Sequence, residues 1–205
     1  MRFWLSAALA AGLAGAPFET VKTLEPDRRT RIAVTDYGQE AGKPVRLQVS
    51  VDDKPLYTAP LTGRSNWLPT ALEDLKAQDL DGDSVDEGLI FSSANHGGSG
   101  SVEYLHVVKR AGSTVKVFRL ETVMENIHSG AFVPARYQGR WAGVVVTRPL
   151  MDNETRAEPT RWSVTVYRLG GAGFVKVHSA ETARRYSEHL PAEAVRPLLP
   201  RGWSV

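Results

Sequence analysis

From Arg31 to His178 the apolar residues recur mostly at every second position, the period of a strand with one buried face. Val45, Leu47, Val49 and Val51 alternate with Arg46, Gln48 and Ser50, which predicts a strand wet on one side. Arg31 to Thr35 precedes it, and Asp52-Asp53-Lys54-Pro55 turns the chain back into Leu56-Tyr57-Thr58. Leu72 to Leu80, Leu89 to Ser93, Val102 to Lys109 and Thr114 to Leu120 read as further strands. Trp141 to Thr147 carries the β-branched run Val144-Val145-Val146, which suits a packed, pleated surface. Trp162, Val164 and Val166 form one inward stripe, and Phe174 to His178 returns after the turn at Gly170 to Gly173. Met124 to Phe132 has no clear period.

The expected architecture is mainly β, an antiparallel sandwich or partly open sheet built from hairpins, with a short C-terminal helix. Ser179 stands where it can cap a helix over Ala180 to His189, with Glu181 and Thr182 in its first turn; Pro191, Pro197 and Pro200 then make the tail irregular. Val115-Lys116-Val117 recurs as Val175-Lys176-Val177, and Glu121-Thr122 as Glu181-Thr182, both offset by 60. Such a period fits stacked β units or propeller blades. The general likeness of amphipathic hairpins accounts for so few identities as simply, and the chain is too short to close a propeller of 4–8 blades.

The first residues change the picture at one end. Met1-Arg2 supplies a positive start, Phe3 to Ala16 an almost unbroken apolar run, and Ala14-Gly15-Ala16 the small residues a signal peptidase needs. Residues 1–16 are therefore expected to be an export signal, cut after Ala16 or Ala14, leaving 17–205 as a single β-rich domain. The run falls short of the roughly 20 apolar residues of a membrane helix, and no later segment approaches that length. A periplasmic or secreted protein with no membrane span follows. There is no cysteine, hence no disulfide and no acylated anchor. The 25 basic and 23 acidic side chains are spread along the chain, without the basic stripe of a nucleic-acid binder.

Candidate chemistry concentrates in Asp79-Leu80-Asp81-Gly82-Asp83-Ser84-Val85-Asp86-Glu87, where five carboxylates fall within nine residues. Carboxylates this crowded repel one another unless solvent or a cation takes up the charge. Asp79, Asp81 and Asp83 alternate, so a curling loop can aim all three at one centre, with Glu87 closing the far side and the Val85 carbonyl filling the gap. Ca²⁺ takes 6–8 such oxygens. Followed by a strand, the stretch resembles the calcium loop of FG-GAP and VCBS repeats, the integrin-type propeller loop. That resemblance implies Ca²⁺ held by the side chains of Asp79, Asp81, Asp83 and Glu87 and by the Val85 carbonyl. Ser84 stands where the family usually has glycine, and Gly88 where it has the apolar residue that begins the strand. An EF-hand is the poorer match, because its eighth position is Asp86 and its twelfth, normally a bidentate Glu, is Ile90.

Just beyond lies the glycine-rich connection Ala94-Asn95-His96-Gly97-Gly98-Ser99-Gly100. With the acidic loop before it and an aromatic strand after it, the connection is similar to the periplasmic inhibitors of invertebrate-type lysozyme. These are small exported β domains that insert a Ser-Gly-x-Tyr loop into the enzyme's cleft. Ser99 and Gly100 match; Val102 stands at the tyrosine position and Tyr104 follows two residues later. Asn95, His96, Ser99, Gly100, Ser101 and Tyr104 are accordingly the expected partner-binding residues, although the glycines also suit an ordinary wide hairpin loop. The nucleophile-elbow pattern is missed, because Ser101 follows Gly100. The histidines show no zinc spacing; His106 and His178 are expected on half-exposed strand faces. The expected function is a non-catalytic calcium-binding β module with a protein or cell-envelope partner, calcium preorganising the glycine loop. A lysozyme-inhibitor-like protein and a hydrolase using His96 and Ser99 are the alternatives.

Overall fold

The structure is a computed structural model that describes residues 19–38, 41–63, 67–95, 100–125, 127–152 and 158–205. The expected export signal lies outside the described residues, as do His96 and Ser99. Strands β1 (Thr20–Leu24), β2 (Thr30–Asp36), β3 (Arg46–Val51) and β4 (Lys54–Pro60) form a first antiparallel meander. β5 (Ala71–Gln78), β6 (Glu87–Asn95), β7 (Gly100–Ala111), β8 (Thr114–Glu125) and β9 (His128–Ser129) form a second in the same sequential order. The third is β10 (Ala131–Tyr137), β11 (Arg140–Pro149), β12 (Trp162–Gly170) and β13 (Gly173–Glu181), with β14 (Trp203–Ser204) added at the β10 edge. The mainly β, antiparallel architecture expected from the alternation is the one observed.

The three meanders stack, with the second in the middle. Strand alternation sends successive side chains of β6 and β7 to opposite faces, and here both faces are apolar. Ile90 and Val108 pack with Ile32, Val34, Leu47 and Val49 of the first sheet. Leu89, Leu105 and Val107, one residue out of phase, pack with Val144, Val146 and Leu169 of the third. The outer face of the first sheet carries Arg31, Arg46 and Gln48 and is exposed, the wet side the pattern predicted. The outer face of the third, Val145, Trp162, Val164 and Val166, is covered by the C-terminal tail through Leu190, Val195 and Trp203. Trp162 is fully buried there, as its stripe with Val164 and Val166 implied.

The 60-residue likeness falls on equivalent strands, since β8 and β13 are each the fourth strand of a meander. β4 is the corresponding strand of the first, and all three follow a two-residue hairpin turn. The first of these turns uses Asp52 and Asp53, both at positive φ (50° and 60°), the geometry that matches strand twist in a tight hairpin.

The helix is short but lies elsewhere than expected. It is α1 (Ala192–Val195), continued by a 3₁₀ turn at Arg196–Leu198. The segment from Ser179 instead extends β13, where Ser179 pairs with Thr165 and Glu181 with Ser163. The Ser179 hydroxyl that was to cap a helix lies 3.1 Å from Thr165 Oγ1 across the strands. Ladder pairing outweighs the weak helix preference of this segment. Pro191, read as a breaker, is the residue at the helix start, and Pro197 sits in the first turn of the 3₁₀ segment, where a missing N–H costs nothing.

Candidate metal centre

The acidic stretch is the turn between β5 and β6, and Asp79 is its organiser. Asp79 Oδ1 accepts from the amides of Asp81 (3.2 Å) and Gly82 (2.6 Å), and its Oδ2 accepts from Ser84 (3.0 Å). Asp83 Oδ1 repeats the device on the Val85 amide at 2.9 Å. Leu80 pins the turn by burying its side chain between the second and third sheets. Its amide donates to Glu87 Oε2 at 2.8 Å. Gly82 has φ +80°, and a Cβ there would lie 2.7 Å from the Trp141 carbonyl oxygen, so the turn packs tightly on β11. Ser84 adopts φ +67°, a conformation that disfavours any L side chain; this is the position where the calcium-loop pattern has glycine. Gly88, the other departure, is where Ile32 approaches: a Cβ would stand 2.0 Å from its Cδ1.

The residue that sequence reasoning missed is Lys109, from β7. Its Nζ lies 2.5 Å from Asp81 Oδ2, 2.9 Å from Asp83 Oδ2 and 2.8 Å from Glu87 Oε1. An ammonium therefore bonds one oxygen on three of the four carboxylates expected to ligate calcium. Burial alone would lower the Lys109 pKa, but the hydrogen bonds to Asp81, Glu87 and Asp83 outweigh it and raise it, so the charge is permanent. Glu87, whose side chain is 2% exposed, is pushed up by burial in spite of Lys109 and the Leu80 amide. Asp83, at the rim, is held down by Lys109 and the Val85 amide against a partial burial that works the other way.

One lysine does not exhaust the site. Oxygens of Asp79, Asp81 and Glu87 lie within 4.8 Å of one another. Asp81 Oδ1 is buried with no hydrogen-bond partner among the described residues, and an acceptor left so is costly. An all-oxygen set with one orphaned carboxylate oxygen fits a hard cation such as Ca²⁺, in competition with the Lys109 ammonium. Val85 takes part through its amide. Asp86 is exposed.

No known protein family, curated protein or solved structure matches this chain. The reading of the site rests on its own residues.

The residues expected to bind a partner are placed differently from one another. Asn95 is exposed at the end of β6, while Gly100 and Ser101 are buried at the start of β7. Tyr104 is fully buried, and its hydroxyl donates to the Trp67 carbonyl at 2.9 Å, so it belongs to the interior rather than to a contact surface. Tyr104 shares its strand face with His106, which is also buried and not half-exposed as its strand position implied. His106 Nε2–H donates to the Thr62 carbonyl at 2.8 Å. Burial lowers its pKa to about 4, against that hydrogen bond, which raises it. Arg119 NH1 donates to Gly63, so three side chains of the middle sheet grip the segment linking it to the first. The acidic turn and the Asn95 end stand at opposite ends of β6, about 25 Å apart at the rise of a strand.

Proposed function

We propose that this protein is an exported, non-catalytic β module that binds Ca²⁺ in the turn between β5 and β6. The partner, a protein or cell-envelope component, is met at the far end of β6 and β7, from Asn95 to Ser101. The observation that carries the metal reading is the buried Asp81 Oδ1, unpartnered among the described residues, beside converging oxygens of Asp79 and Glu87. Asp79, Asp81, Asp83 and Glu87 would hold the ion, and the charge it supplies would neutralise carboxylates that Lys109 satisfies only in part. The reach to the partner end runs along β6, because Glu87, the innermost ligand, is also its first strand residue, paired with Gln78. Fixing Glu87 fixes the register that sets Asn95 opposite Ser101.

Competition with a built-in ammonium places the affinity among extracellular calcium modules, with Kd of about 10⁻⁴–10⁻³ M. The test is thermal unfolding of the purified protein in chelator and in millimolar Ca²⁺, with Mg²⁺ alongside. A rise in Tm with Ca²⁺ that Mg²⁺ does not reproduce is expected. Identical melting curves in all three conditions would dispose of the calcium reading.

A further inference from the structure

At the Asn95 end of the middle sheet, between that sheet and Phe132 of β10, lies a cavity of about 390 Å³, within the size range of small-ligand sites. One wall is a polar row across three strands. Glu103 of β7 stands directly opposite Ser93 of β6, and Ser93 Oγ donates to Glu73 Oε1 at 2.6 Å. Glu73 joins the row because the β5 register slips between Leu72 and Asp74, making it the extra residue of a bulge, a device that re-aims a side chain. Burial pushes the Glu103 carboxyl above its usual range, and the charge on Glu73 adds to the effect. Ser101, two residues before Glu103 and so on the same strand face, also lines the cavity; it is 7% exposed, and its Oγ has no hydrogen-bond partner among the described residues.

The rest of the lining is apolar: Phe91 and Met124 from the same sheet, and Phe132 facing them from β10. Phe91 and Phe132 lie with ring centroids 6.3 Å apart, and Met124 stands opposite Ser101 on β8. At the mouth, Lys76 and Asp74 pair at 2.6 Å, so their charges cancel. The uncompensated charge is that of Glu73 and Glu103. Two like carboxylates on one wall, Glu103 partly buried and Glu73 exposed, disfavour an anion, and a neutral ligand leaves their repulsion in place, whereas a cation between them relieves it. A bare divalent ion would leave the three apolar side chains without a role and would lack its 6–8 oxygens.

We propose that this cavity binds a cation carried on an apolar stem: an ammonium or guanidinium group between Glu73 and Glu103, donating to Ser101 Oγ, with its stem against Phe91, Met124 and Phe132. The inference rests on the reading of the Asn95–Ser101 end as the binding end, and gives that partner its chemistry. Two sources carry such a group, a lysine or arginine side chain of a protein and a free amine.

The test is an NMR titration of the full chain, labelled at the methionine methyls, with n-butylammonium, benzamidinium and the neutral analogue n-butanol. Saturable shifts at the Met124 methyl are expected with both cations at millimolar concentration, and not with butanol. Glu103→Gln should weaken binding by about tenfold or more, the loss of one charge-assisted hydrogen bond, and Ser101→Ala should weaken it less. Glu73→Gln, at an exposed position, gives the same readout should Glu103→Gln fold poorly. A capped lysine peptide binding more tightly than spermidine assigns a protein partner; the reverse order assigns a free amine. The proposal is overturned if no cation shifts Met124 at tens of millimolar, if butanol binds equally, or if both glutamine variants bind as the parent does. A partner captured through Asn95 but indifferent to Glu103→Gln would remove the cation pocket and leave the proposed binding end standing. A protein that binds butylammonium yet melts identically with and without Ca²⁺ would keep the cation pocket and remove the calcium reading.

Discussion

Replacing Lys109 by methionine isolates what its ammonium does, because the apolar stem is kept while the charge is lost. The ammonium bonds Glu87, Asp81 and Asp83, whose side chains are 2%, 16% and 48% exposed. Removing one partner from a buried ion pair costs about 3–5 kcal/mol. The Asp83 share is discounted because solvent screens a half-exposed carboxylate, leaving Glu87 and Asp81 to carry a loss of about 3 kcal/mol at neutral pH. With a urea m-value of about 2 kcal/mol/M, the midpoint should fall by about 1.5 M in chelator, followed by tryptophan fluorescence. The deficit should shrink in mildly acid solution, since burial already raises the Glu87 pKa and protonation removes the stranded charge. Calcium should then rescue the variant more than the parent, the variant itself gaining about 2.7 kcal/mol at about one hundred times its own Kd. A midpoint within about 0.3 M of the parent would refute the account of Lys109. A variant that loses stability and recovers none with Ca²⁺ would instead refute the cation site.

The remaining predictions concern the interior and the turn. His106 is neutral in the folded state with its pKa near 4, against 6.5 for an ordinary histidine. Its contribution is therefore complete above pH 6.5 and is lost as pH falls toward 4, by about 3 kcal/mol; in His106→Gln, which keeps a donor for Thr62, urea midpoints should decline less over that range. If parent and variant decline in parallel, His106 is not the titrating group. Ser84→Gly should raise stability by about 0.5–1 kcal/mol by relieving a positive-φ serine, and Gly82→Ala should lower it by about 2 kcal/mol, both read as shifts in Tm. Trp162→Ala should cost about 4 kcal/mol, as for other fully buried aromatics, and an effect below 1 kcal/mol would mean the tail does not seal that face.

Much of the fold was legible because most strands bury one face, and period two reports that directly, as in Val45 to Val51. Strands β6 and β7 bury both faces, so Leu89-Ile90-Phe91 reads only as an apolar run and leaves the partners of each face unspecified. The helix was misplaced because Ala180 to His189 has local helix chemistry, while the pairing of Glu181 with Ser163 is a long-range fact. In the acidic turn the positions were legible through their spacing. Lys109 was not, although a signal exists: Ser101, Glu103, Leu105, Val107 and Lys109 share one face of β7, apolar in the middle and charged near both ends. A lysine continuing an inward stripe asks for a buried acid, and a glutamate at the other end asks for a cation. The bulge that brings Glu73 to Glu103 has no such signal.

The double-faced middle sheet also constrains how the molecule assembles. A stack whose units met only through weak edges could lose an end and keep the rest, as repeat arrays do when their interfaces are weak. Here each outer sheet finds the other wall of its core on β6 and β7, so neither interior survives if those strands separate. The β7–β8 hairpin is both the longest pairing among the described residues and the template for both neighbours. Folding should therefore nucleate at that hairpin, with high φ-values at Leu105, Val107 and Leu120 and low ones in β1 and β14, and three meanders should melt as one cooperative unit.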